Sequence, residues 1–514
     1  MITTIDNVIK KTISGLGVFV MFVIILNSIF SPTLSHIASY WRKGTELNVV
    51  RIQNALSFVF AIIIIISFFW IIKKIRLKDK ISNLIAIILS VLFFIFLLWQ
   101  FNFLQIDGLI DDSYVVFNAA QEILDTGKLS GWYMASNPQN LFIMYFYMFL
   151  IKLTGSVNIE IIYIFFAALH VLTSLLLYFN TKKLFNMNCP ALIALIVFIF
   201  TFQINMHVII MYTDVFSMFF LMLGIYFFIS YTQSKSNKSK LIYLLLSSLF
   251  FSFAFLAKGL YLILFIAIVL GMLISLKGKE KLLGFIPMIV FLLINIAWNG
   301  FISNQGIFEK EEIGMPNTHY IFMGMNTNDY FQDKENKEYR LAGAYSEGDL
   351  NFSKDLYWDQ NLEKKEIVSI HLEKISERIH SISLLEFFDF LNAKVSSTWS
   401  SGDLKSTVSI GMATSSEDGL EEIRESKFVY TYLQVIQYVY YLMFLLSFIK
   451  LLLVPSMNSF LYVSVFFVIG IFFFILMWES SPRYSMTIMP FAPVIFPYFF
   501  YDFNKKEIEN EVKV

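Results

Sequence analysis

Long apolar segments recur along the chain, and each is close to the length that a helix needs to cross a lipid bilayer. A hydrocarbon core about 30 Å thick is spanned by roughly 20 helical residues. About twelve segments fit this description, and they cover residues 13–30, 54–72, 81–104, 159–180, 189–208, 215–231, 241–257, 260–276, 282–302, 428–453, 456–478 and 485–502. Because lipid cannot satisfy backbone polar groups, each segment must bond its own backbone as a helix. The sequence therefore predicts an all-α polytopic membrane protein with about twelve transmembrane helices.

The composition excludes several other classes of protein. Hydrophobic residues make up 57% of the chain and charged residues 15%, which does not fit a soluble domain. The formal net charge is zero, so the chain lacks the basic signature of a nucleic-acid-binding protein. The single cysteine, Cys189, excludes an intrachain disulfide and a multi-cysteine metal site.

The first apolar segment has one feature of a signal peptide, because it follows Lys10 and Lys11. No small-residue cleavage site follows it, and the sequence Phe30, Ser31, Pro32 does not suit cleavage. We therefore expect this segment to be retained as the first transmembrane helix.

Basic residues cluster between the apolar segments, as they do in the cytoplasmic loops of membrane proteins. The clusters are Lys10 and Lys11, residues 73–80, Lys182 and Lys183, residues 235–240, residues 277–281, and Lys505 and Lys506. All of them fall on one side only if the apolar residues 141–153 form an interfacial helix and do not cross the membrane. The predicted location is then the plasma membrane, with both termini in the cytoplasm.

The same inside–outside alternation of the predicted spans places the long polar segment, residues 303–427, at the extracytoplasmic face. We expect this segment to fold as a small α or α+β domain. It separates a transmembrane module in residues 1–302 from C-terminal transmembrane helices and a short cytoplasmic tail in residues 428–514. Residues 362–380 alternate apolar and charged side chains in a pattern typical of an amphipathic helix.

An adjacent pair of carboxylates, Asp111 and Asp112, follows the third apolar segment. Neighbouring carboxylates repel, so at a bilayer surface one of them holds a proton more tightly or requires a cationic partner. A carboxylate in that position can serve as a general base. The alternative is that both residues only solvate or cap the start of a helix, where Asp is common.

Further motifs, most of them predicted to reach the same outer face, resemble in their order those of the GT-C superfamily of membrane glycosyltransferases. Within that class the layout is most similar to integral membrane proteins of Gram-positive bacteria. The motifs are Asp111 and Asp112 in the first outer loop, Asn137 to Asn140 before the interfacial helix, Tyr178 to Phe185 at the end of a span, Tyr212 to Asp214, Leu256 to Gly259, Pro316 to Tyr320, and Glu479 to Tyr484. One departure is Asn137, Pro138, Gln139, where many relatives have His or Tyr before the proline.

The resemblance implies a polyprenyl-phosphate-linked sugar donor and assigns roles to individual residues. The implied roles are catalysis for Asp111 and Asp112, acceptor or metal binding for Asp214, donor-phosphate binding for Arg483, Lys258 and His319, and support for Glu479, Tyr484 and Tyr212. Arg483 suits a phosphate because a guanidinium stays protonated and offers a fixed fork of donors. We expect Asp111 to be the base, with Asp112 second.

Each assignment has a structural alternative. Arg483 can be an interfacial anchor or a partner of Glu479, and Lys258 an ordinary interfacial lysine. Asp214 can cap a helix, and a lone loop histidine such as His319 is commonly structural. Two outer tryptophans, Trp358 and Trp399, can stack on sugars or anchor the protein at the interface.

The resemblance thus implies an inverting glycosyltransferase that moves one sugar to a cell-envelope glycopolymer, such as teichoic acid or polysaccharide, or to a glycolipid. No cofactor is certain, although Asp111, Asp112 and Asp214 together can hold a divalent cation such as Mg²⁺ or Mn²⁺. Two alternatives are a flippase or transporter of lipid-linked saccharides and a non-catalytic assembly protein. A transporter should carry ionisable residues near the bilayer midplane, and the apolar segments contain few besides His170.

Overall fold

The computed structural model describes residues 2–33, 46–106, 108–308, 310, 312–332, 341–413 and 426–500. Within these ranges the regular structure is helical and contains no β-strand. The prediction of an all-α polytopic membrane protein is confirmed. The basic pair Lys505 and Lys506 and the end of the last predicted span lie outside the described residues.

We number the α-helices in chain order. The part before the outer segment contains α1 (Ile2–Phe30), α2 (Leu47–Lys74), α3 (Asp79–Phe103), α4 (Asp111–Thr126), α5 (Trp132–Ser136), α6 (Leu141–Thr154), α7 (Ile159–Phe185), α8 (Asn188–Ile199), α9 (Phe202–Ile210), α10 (Thr213–Gln233), α11 (Asn237–Ala257), α12 (Leu262–Ser275) and α13 (Ile286–Gln305). Short 3-10 helices precede α6, α12 and α13, at Pro138–Asn140, Gly259–Tyr261 and Gly278–Phe285.

The outer segment and the C-terminal part are also helical. The outer segment contains α14 (Thr318–Gly324), α15 (Thr327–Phe331), α16 (Glu347–Lys354), a π-helical turn (Asp355–Asp359), α17 (Lys364–His380), α18 (Leu384–Trp399) and α19 (Ser406–Ala413). The C-terminal part contains α20 (Lys427–Leu453), α21 (Ser459–Met477) and α22 (Phe491–Ile495), with 3-10 helices at Pro482–Thr487 and Phe496–Phe500. The predicted amphipathic helix corresponds to α17, which buries Ile367 and Ile375.

Nine helices in the described part of the chain are long and apolar enough to cross a membrane, and α8 with α9 forms a tenth candidate bent by 55°. The remaining two predicted spans take other forms. Residues 259–275 form a shorter apolar helix. The last predicted span, residues 485–502, is broken into α22 and its flanking 3-10 helices because Pro490, Pro493 and Pro497 remove backbone donors and disfavour a continuous α-helix.

The predicted interfacial helix corresponds to α6. Its 14 residues give a length of about 21 Å, which is less than the roughly 30 Å of a bilayer core. Gly155, with φ +65°, ends the helix in the left-handed conformation that glycine tolerates best. Helix α6 packs against α4, the helix that begins at the acidic pair.

Helix α20 packs against α1 and α2 and is buried along most of its length. Its tyrosine hydroxyls find partners on neighbouring elements: Tyr438 bonds Ser28 of α1 at 3.0 Å, and Tyr440 bonds Thr201 before α9 at 2.8 Å. A buried hydroxyl without a partner would be costly in lipid, so these bonds favour one arrangement of the N-terminal helices around α20.

The outer segment attaches to the loop that follows α21. The Lys394 ammonium of α18 is buried and donates to the backbone carbonyls of Gly324 and Trp478. The backbone N–H of Ser480 donates to the carbonyl of Gly343 at 2.7 Å. Gly343 has φ +61°, and a Cβ there would lie 2.3 Å from the Gly324 carbonyl oxygen, so only glycine fits this approach. These contacts hold the loop after α21 against the outer segment.

Candidate active site

Four loops at one end of the helix bundle bring the predicted polar residues together. Asp112 lies in the first turn of α4, and Arg483 lies in the 3-10 helix that begins at Pro482. An Nη2 atom of Arg483 is 3.8 Å from an Oδ2 atom of Asp112, and the two side chains are 29% and 38% exposed. The pair is therefore loose and reachable from solvent.

The neighbouring carboxylate, Asp111, has different surroundings. Asp111 is exposed and has φ +47°, a left-handed conformation that Asp adopts more readily than most residues. The turn is closed by Ser113, whose hydroxyl donates to the Ile110 carbonyl at 2.6 Å. The structure therefore separates the two adjacent aspartates: Asp112 contacts Arg483, whereas Asp111 faces solvent.

A chain of hydrogen bonds supports Asp112. The Tyr212 hydroxyl donates to Asn140 Oδ1 at 2.8 Å, and Asn140 Nδ2 donates to the Tyr133 hydroxyl at 3.1 Å. Burial raises the pKa of the Tyr133 phenol well above its usual value, and the neighbouring Tyr212 and Asp112 add to this shift. Tyr133 therefore stays protonated and can donate a hydrogen bond to the Asp112 carboxylate.

Arg483 also lies over an aromatic ring. Its guanidinium carbon is 5.9 Å from the centre of the Tyr212 ring, within cation–π range. The salt bridge of Arg483 is with Asp112, although the Glu479 carboxyl also lies within electrostatic range of the Arg483 guanidinium. Glu479 instead accepts a hydrogen bond from the Tyr484 hydroxyl at 3.4 Å. Burial raises the pKa of Glu479, so this carboxyl retains a proton more readily than usual.

Asp214 and Lys258 form a second, closed ion pair. Their side chains are only 6% and 10% exposed, and the Lys258 ammonium bonds an Asp214 carboxylate oxygen directly. Lys258 also lies 5.8 Å from the centre of the Tyr484 ring. Asp214 occupies the first turn of α10 but is not its cap, which is Tyr212. The predicted partners for acceptor and phosphate thus neutralise each other.

His319 lies inside the outer segment and is 3% exposed. Its Nδ1 is 2.8 Å from the Ser353 hydroxyl, which in turn is 3.0 Å from His371 Nε2. Burial lowers the pKa of His319 to about 3, so the ring is neutral at physiological pH. These contacts do not bring the His319 ring into the group of carboxylates and cations, although its neighbour Tyr320 lies near that group.

Lys405 is a further cation of the site, and it was not predicted from the sequence. Leu404 and Lys405 both have positive φ, at 55° and 66°, in a turn held by Asp403. Asp403 accepts hydrogen bonds from the Lys405 backbone N–H at 3.1 Å and from the Thr407 hydroxyl at 2.7 Å. The turn before Lys405 could have been predicted from the sequence Ser400, Ser401, Gly402, Asp403, because such residues favour tight turns.

The surroundings of Lys405 tie it to the same group of charges. Burial lowers the pKa of its ammonium, and the nearby Arg483 guanidinium lowers it further. The carboxylates of Asp111, Glu479 and Asp112 lie close enough to oppose this shift. Lys405 and Arg483 therefore share two carboxylates, Glu479 and Asp112, which they approach from different elements of the fold.

An aromatic pair lies beside the site. Tyr320 stacks on Trp478 with ring centres 4.8 Å apart and an 18° angle between planes. The Tyr320 hydroxyl donates to Asn137 Oδ1 at 2.9 Å and accepts from Gln139 Nε2 at 2.9 Å. The motif before α6 thus contacts the outer segment. Of the tryptophans considered from the sequence, Trp399 is buried and cannot stack on a ligand at the surface.

The carboxylates do not assemble into a metal-ligand set. Within the described ranges, no group of three or more His, Cys, Asp or Glu side chains is arranged to hold a metal ion. Asp214 is occupied by Lys258, and Asp112 lies beside Arg483. A divalent cation shared by Asp111, Asp112 and Asp214 stays a prediction, and it would require these pairs to open.

Comparison with known proteins finds one family model that matches part of the chain. Residues 137–299 match the family model described as dolichyl-phosphate-mannose-protein mannosyltransferase. The matched stretch contains Asn140, Asp214 and Lys258, and it leaves Asp112 and Arg483 outside. No curated protein gives a significant match to the chain. The family match confirms the resemblance predicted from the sequence, which is to the GT-C superfamily of membrane glycosyltransferases.

Proposed function

We propose that the protein is an inverting glycosyltransferase that moves a sugar from a polyprenyl-phosphate donor to a cell-envelope glycopolymer or glycolipid at the extracytoplasmic face. The observation that carries this proposal is the open pair of Asp112 and Arg483, 3.8 Å apart at the end of the helix bundle. A carboxylate that can accept a proton and a guanidinium that can bind a phosphate are the two groups that the reaction requires.

Asp112 is the better candidate for the base, in place of Asp111, which we expected from the sequence. Asp112 contacts Arg483 and is within reach of the Tyr133 hydroxyl, whereas Asp111 is exposed. The acceptor hydroxyl attacks the anomeric carbon of the sugar, and its proton passes to the Asp112 carboxylate. Attack from the face opposite the phosphate inverts the configuration at that carbon.

The bond that breaks joins the anomeric carbon to a phosphate oxygen, and its electron pair stays with that oxygen. The lipid phosphate therefore gains one negative charge as it leaves. We expect Arg483 and Lys405, which lie beside the Asp112 carboxylate, to supply positive charge to the leaving phosphate. Attack in line with the leaving group requires base and phosphate on opposite sides of the sugar, so we expect the bound donor to draw Arg483 away from Asp112.

Other residues receive supporting roles in this proposal. The Lys258 and Asp214 pair holds Tyr484 in place and stabilises the end of the bundle, which replaces the separate acceptor and phosphate roles expected from the sequence. Glu479 and Tyr212 position Tyr484 and Arg483. His319 is left out of the donor site because its ring is bonded to Ser353 inside the outer segment.

The proposal is tested with purified protein in proteoliposomes that contain a labelled polyprenyl-phosphate sugar. Mannose is the first sugar to try, because the matched family is described by it. We expect release of polyprenyl phosphate that depends on an added acceptor. Folded protein that binds the donor but releases no polyprenyl phosphate with any sugar or acceptor would contradict the proposal and favour a transporter or an assembly protein.

The predicted face is tested by cysteine labelling in cells after removal of Cys189. Single cysteines at Ser156 and Gly348 should react with a membrane-impermeant reagent from outside, and a cysteine at Ser236 only from inside. Gly348 is exposed in α16, whereas its neighbour Ser353 is fully buried and unsuitable as a probe. External labelling of Ser236→Cys would reverse the proposed orientation.

A further inference from the structure

The Lys405 turn, residues 400–407, is strained and almost entirely buried. Leu404 and Lys405 are consecutive residues in the left-handed region, with φ of 55° and 66°, although neither is glycine. Across residues 400–407, all of which the structure describes, Lys405 is the one residue that is not buried. Non-glycine residues stay in this conformation only where their surroundings hold them there. The packing around the turn therefore decides where the Lys405 ammonium lies.

Helix α20 holds the first part of the Lys405 turn. The backbone N–H of Gly402 donates to Gln434 Oε1 at 3.0 Å, and Gln434 is fully buried. A Cβ at Gly402 would lie 2.7 Å from the Gln434 backbone nitrogen, so the turn approaches α20 more closely than a larger residue would allow.

Helix α9 holds the strained part of the turn through His207, a residue that has no role in the mechanism above. His207 is 3% exposed, and its Nε2 is 3.1 Å from the Leu404 carbonyl oxygen. A carbonyl can only accept, so Nε2 carries the hydrogen and donates it. The Leu404 carbonyl belongs to the peptide group that joins Leu404 to Lys405. His207 therefore bonds the peptide between the two left-handed residues.

His207 lies close to the charged groups of the candidate active site. Asp214, Arg483 and Lys258 are all within electrostatic range of its ring. Helix α9 also packs against α19, which begins at Ser406 of the turn. His207 is thus at the same end of the bundle as Arg483, and its hydrogen bond goes to the turn that presents Lys405.

The geometry of this bond favours a role beyond stability. A buried histidine that only satisfied a carbonyl would lower the stability of the protein when lost. Here the bonded peptide precedes the Cα atom of Lys405, so a rotation of that peptide redirects the Lys405 side chain. Without the bond, the turn can relax toward the ordinary right-handed conformations, which are less strained for residues other than glycine.

We propose that His207 is a positioning residue for sugar transfer, which holds the Lys405 turn so that the Lys405 ammonium faces the leaving phosphate. The inference rests on the proposed glycosyltransferase function, in which Lys405 supplies positive charge to that phosphate. It adds a residue that acts through Lys405 and does not touch the substrate.

Two substitutions at His207 separate the hydrogen bond from the volume of the side chain. Methionine and glutamine have similar lengths, and only glutamine ends in an N–H donor. His207→Met should lower kcat for release of polyprenyl phosphate by about 10² and leave the KM for the acceptor unchanged. His207→Gln should recover most of this loss. Equal kcat values for the two variants, normalised to folded protein, would overturn the proposal.

A double variant shows whether His207 acts through Lys405. Lys405→Gln removes the ammonium and should itself lower kcat by about 10². Adding His207→Met to Lys405→Gln should then change kcat by less than about twofold, because the turn no longer presents a charge. Losses that multiply in the double variant would show that His207 is only structural and would overturn the proposal.

His170 provides a matched control in the same part of the core. It is fully buried, and its Nε2 is 3.0 Å from Oδ1 of Asn205, which belongs to α9 as His207 does. His170→Met should keep kcat within about twofold of the wild type, because its bond does not reach the Lys405 turn. A loss as large as that of His207→Met would mean that any disturbance of α9 is sufficient and would overturn the proposal.

A second variant keeps the test decisive if His207→Met does not fold. Gln434→Met removes the acceptor of the Gly402 N–H and so loosens the same turn from α20. It should lower kcat and, like His207→Met, add little to the loss in Lys405→Gln. A normal kcat in Gln434→Met would contradict the inference that the hold on the turn positions Lys405.

Binding of polyprenyl monophosphate to the full chain in nanodiscs separates this inference from the proposed function, because it requires no chemistry. The Kd should rise about tenfold in Lys405→Gln, in His207→Met and in the double variant alike. A wild-type protein that shows this pattern but cleaves no donor would overturn the proposed function and leave the positioning role standing. Sugar transfer by the wild type with losses that multiply would overturn the positioning role alone. A wild-type protein that does not bind polyprenyl monophosphate would overturn both.

Discussion

Two ion pairs lie at the same end of the helix bundle, and they differ in accessibility. Asp214 and Lys258 are 6% and 10% exposed and in direct contact, whereas Asp112 and Arg483 are 38% and 29% exposed and 3.8 Å apart. A buried charge that loses its partner is costly, whereas an exposed pair contributes about 0–1 kcal/mol to stability. The closed pair is therefore suited to holding the fold, and the open pair to binding and exchanging partners.

The local sequence does not distinguish the roles of the two aspartates, Asp112 and Asp214. Asp112 and Asp214 both lie in the first turn of a helix, and both meet a cation from a later loop. Only the packing around them differs. Tyr484 lies beside Lys258, whereas the end of α4 leaves Asp112 open to solvent.

The largest expected effect is on the open pair. Asp112→Asn preserves the shape of the side chain but removes its ability to accept the proton, so turnover should fall by about 10² to 10⁴. Donor binding and melting temperature should stay close to those of the wild type. The measurement is release of labelled polyprenyl phosphate, normalised to folded protein.

The control is Asp111→Asn, which should lose less activity because Asp111 is exposed and the salt bridge of Arg483 is with Asp112. If Asp111→Asn abolished turnover while Asp112→Asn kept it, the original expectation from the sequence would be restored and the open pair would lose its catalytic role.

Removing one partner of the closed pair, Asp214 and Lys258, should lower the stability of the protein, whereas Asp112→Asn should lower its turnover. Lys258→Met removes the ammonium that bonds the buried Asp214 carboxylate directly and leaves that carboxylate to longer-range interactions such as the one with Arg483. We therefore expect a loss of about 3–5 kcal/mol of stability. The double variant Asp214→Leu with Lys258→Met removes both charges and should recover most of that loss. Thermal unfolding in detergent measures the difference. Equal melting temperatures for Lys258→Met and the wild type would show that the pair does not hold the fold.

Variants of Arg483 test whether the open pair binds phosphate through the paired N–H donors of the guanidinium. Arg483→Ala should lower kcat/KM for the lipid donor strongly, by about 10². Arg483→Lys should recover only part of it, because the ammonium keeps the charge but lacks the bidentate geometry. If the lysine variant matched the wild type, a single positive charge would be sufficient at this position.

Lys394 extends the comparison to a buried cation whose ammonium donates to two backbone carbonyls in place of a carboxylate. Burial lowers its pKa from 10.5 to about 7 in the folded protein. Between these values the unfolded chain binds a proton that the folded protein has released, so stability should rise as pH increases from about 7 to 10. Below about 7 both states are protonated, and this group should add no further change. The melting temperature of the wild type relative to Lys394→Met should follow this trend; a constant difference would contradict it.

The smallest effect is expected from metal removal. Asp112 and Asp214 each lie beside a protein cation, so washing with EDTA should leave sugar transfer unchanged within about twofold. Strong inhibition that Mg²⁺ or Mn²⁺ reverses would mean that one of the two pairs opens to admit a cation.

Several features of the protein follow from the sequence alone. Hydropathy is a local property, so the apolar segments indicated the membrane helices, and their alternation predicted that Asp112, Asp214, Lys258 and Arg483 would meet at one end. The acidic pair and the proline-rich end of the chain were also visible, although the effect of Pro490, Pro493 and Pro497 on the last span was not recognised.

Partner choice was decided only by the tertiary structure. Which carboxylate meets which cation depends on how helices distant in the chain pack, and residues 112 and 483 share no local pattern. For the same reason Lys405 was missed, since it reaches the site through a strained turn, and His319 was expected at the donor but is bonded to Ser353. Side-chain charge is set by the residue type, whereas burial and distance, which decide what that charge does, arise from packing.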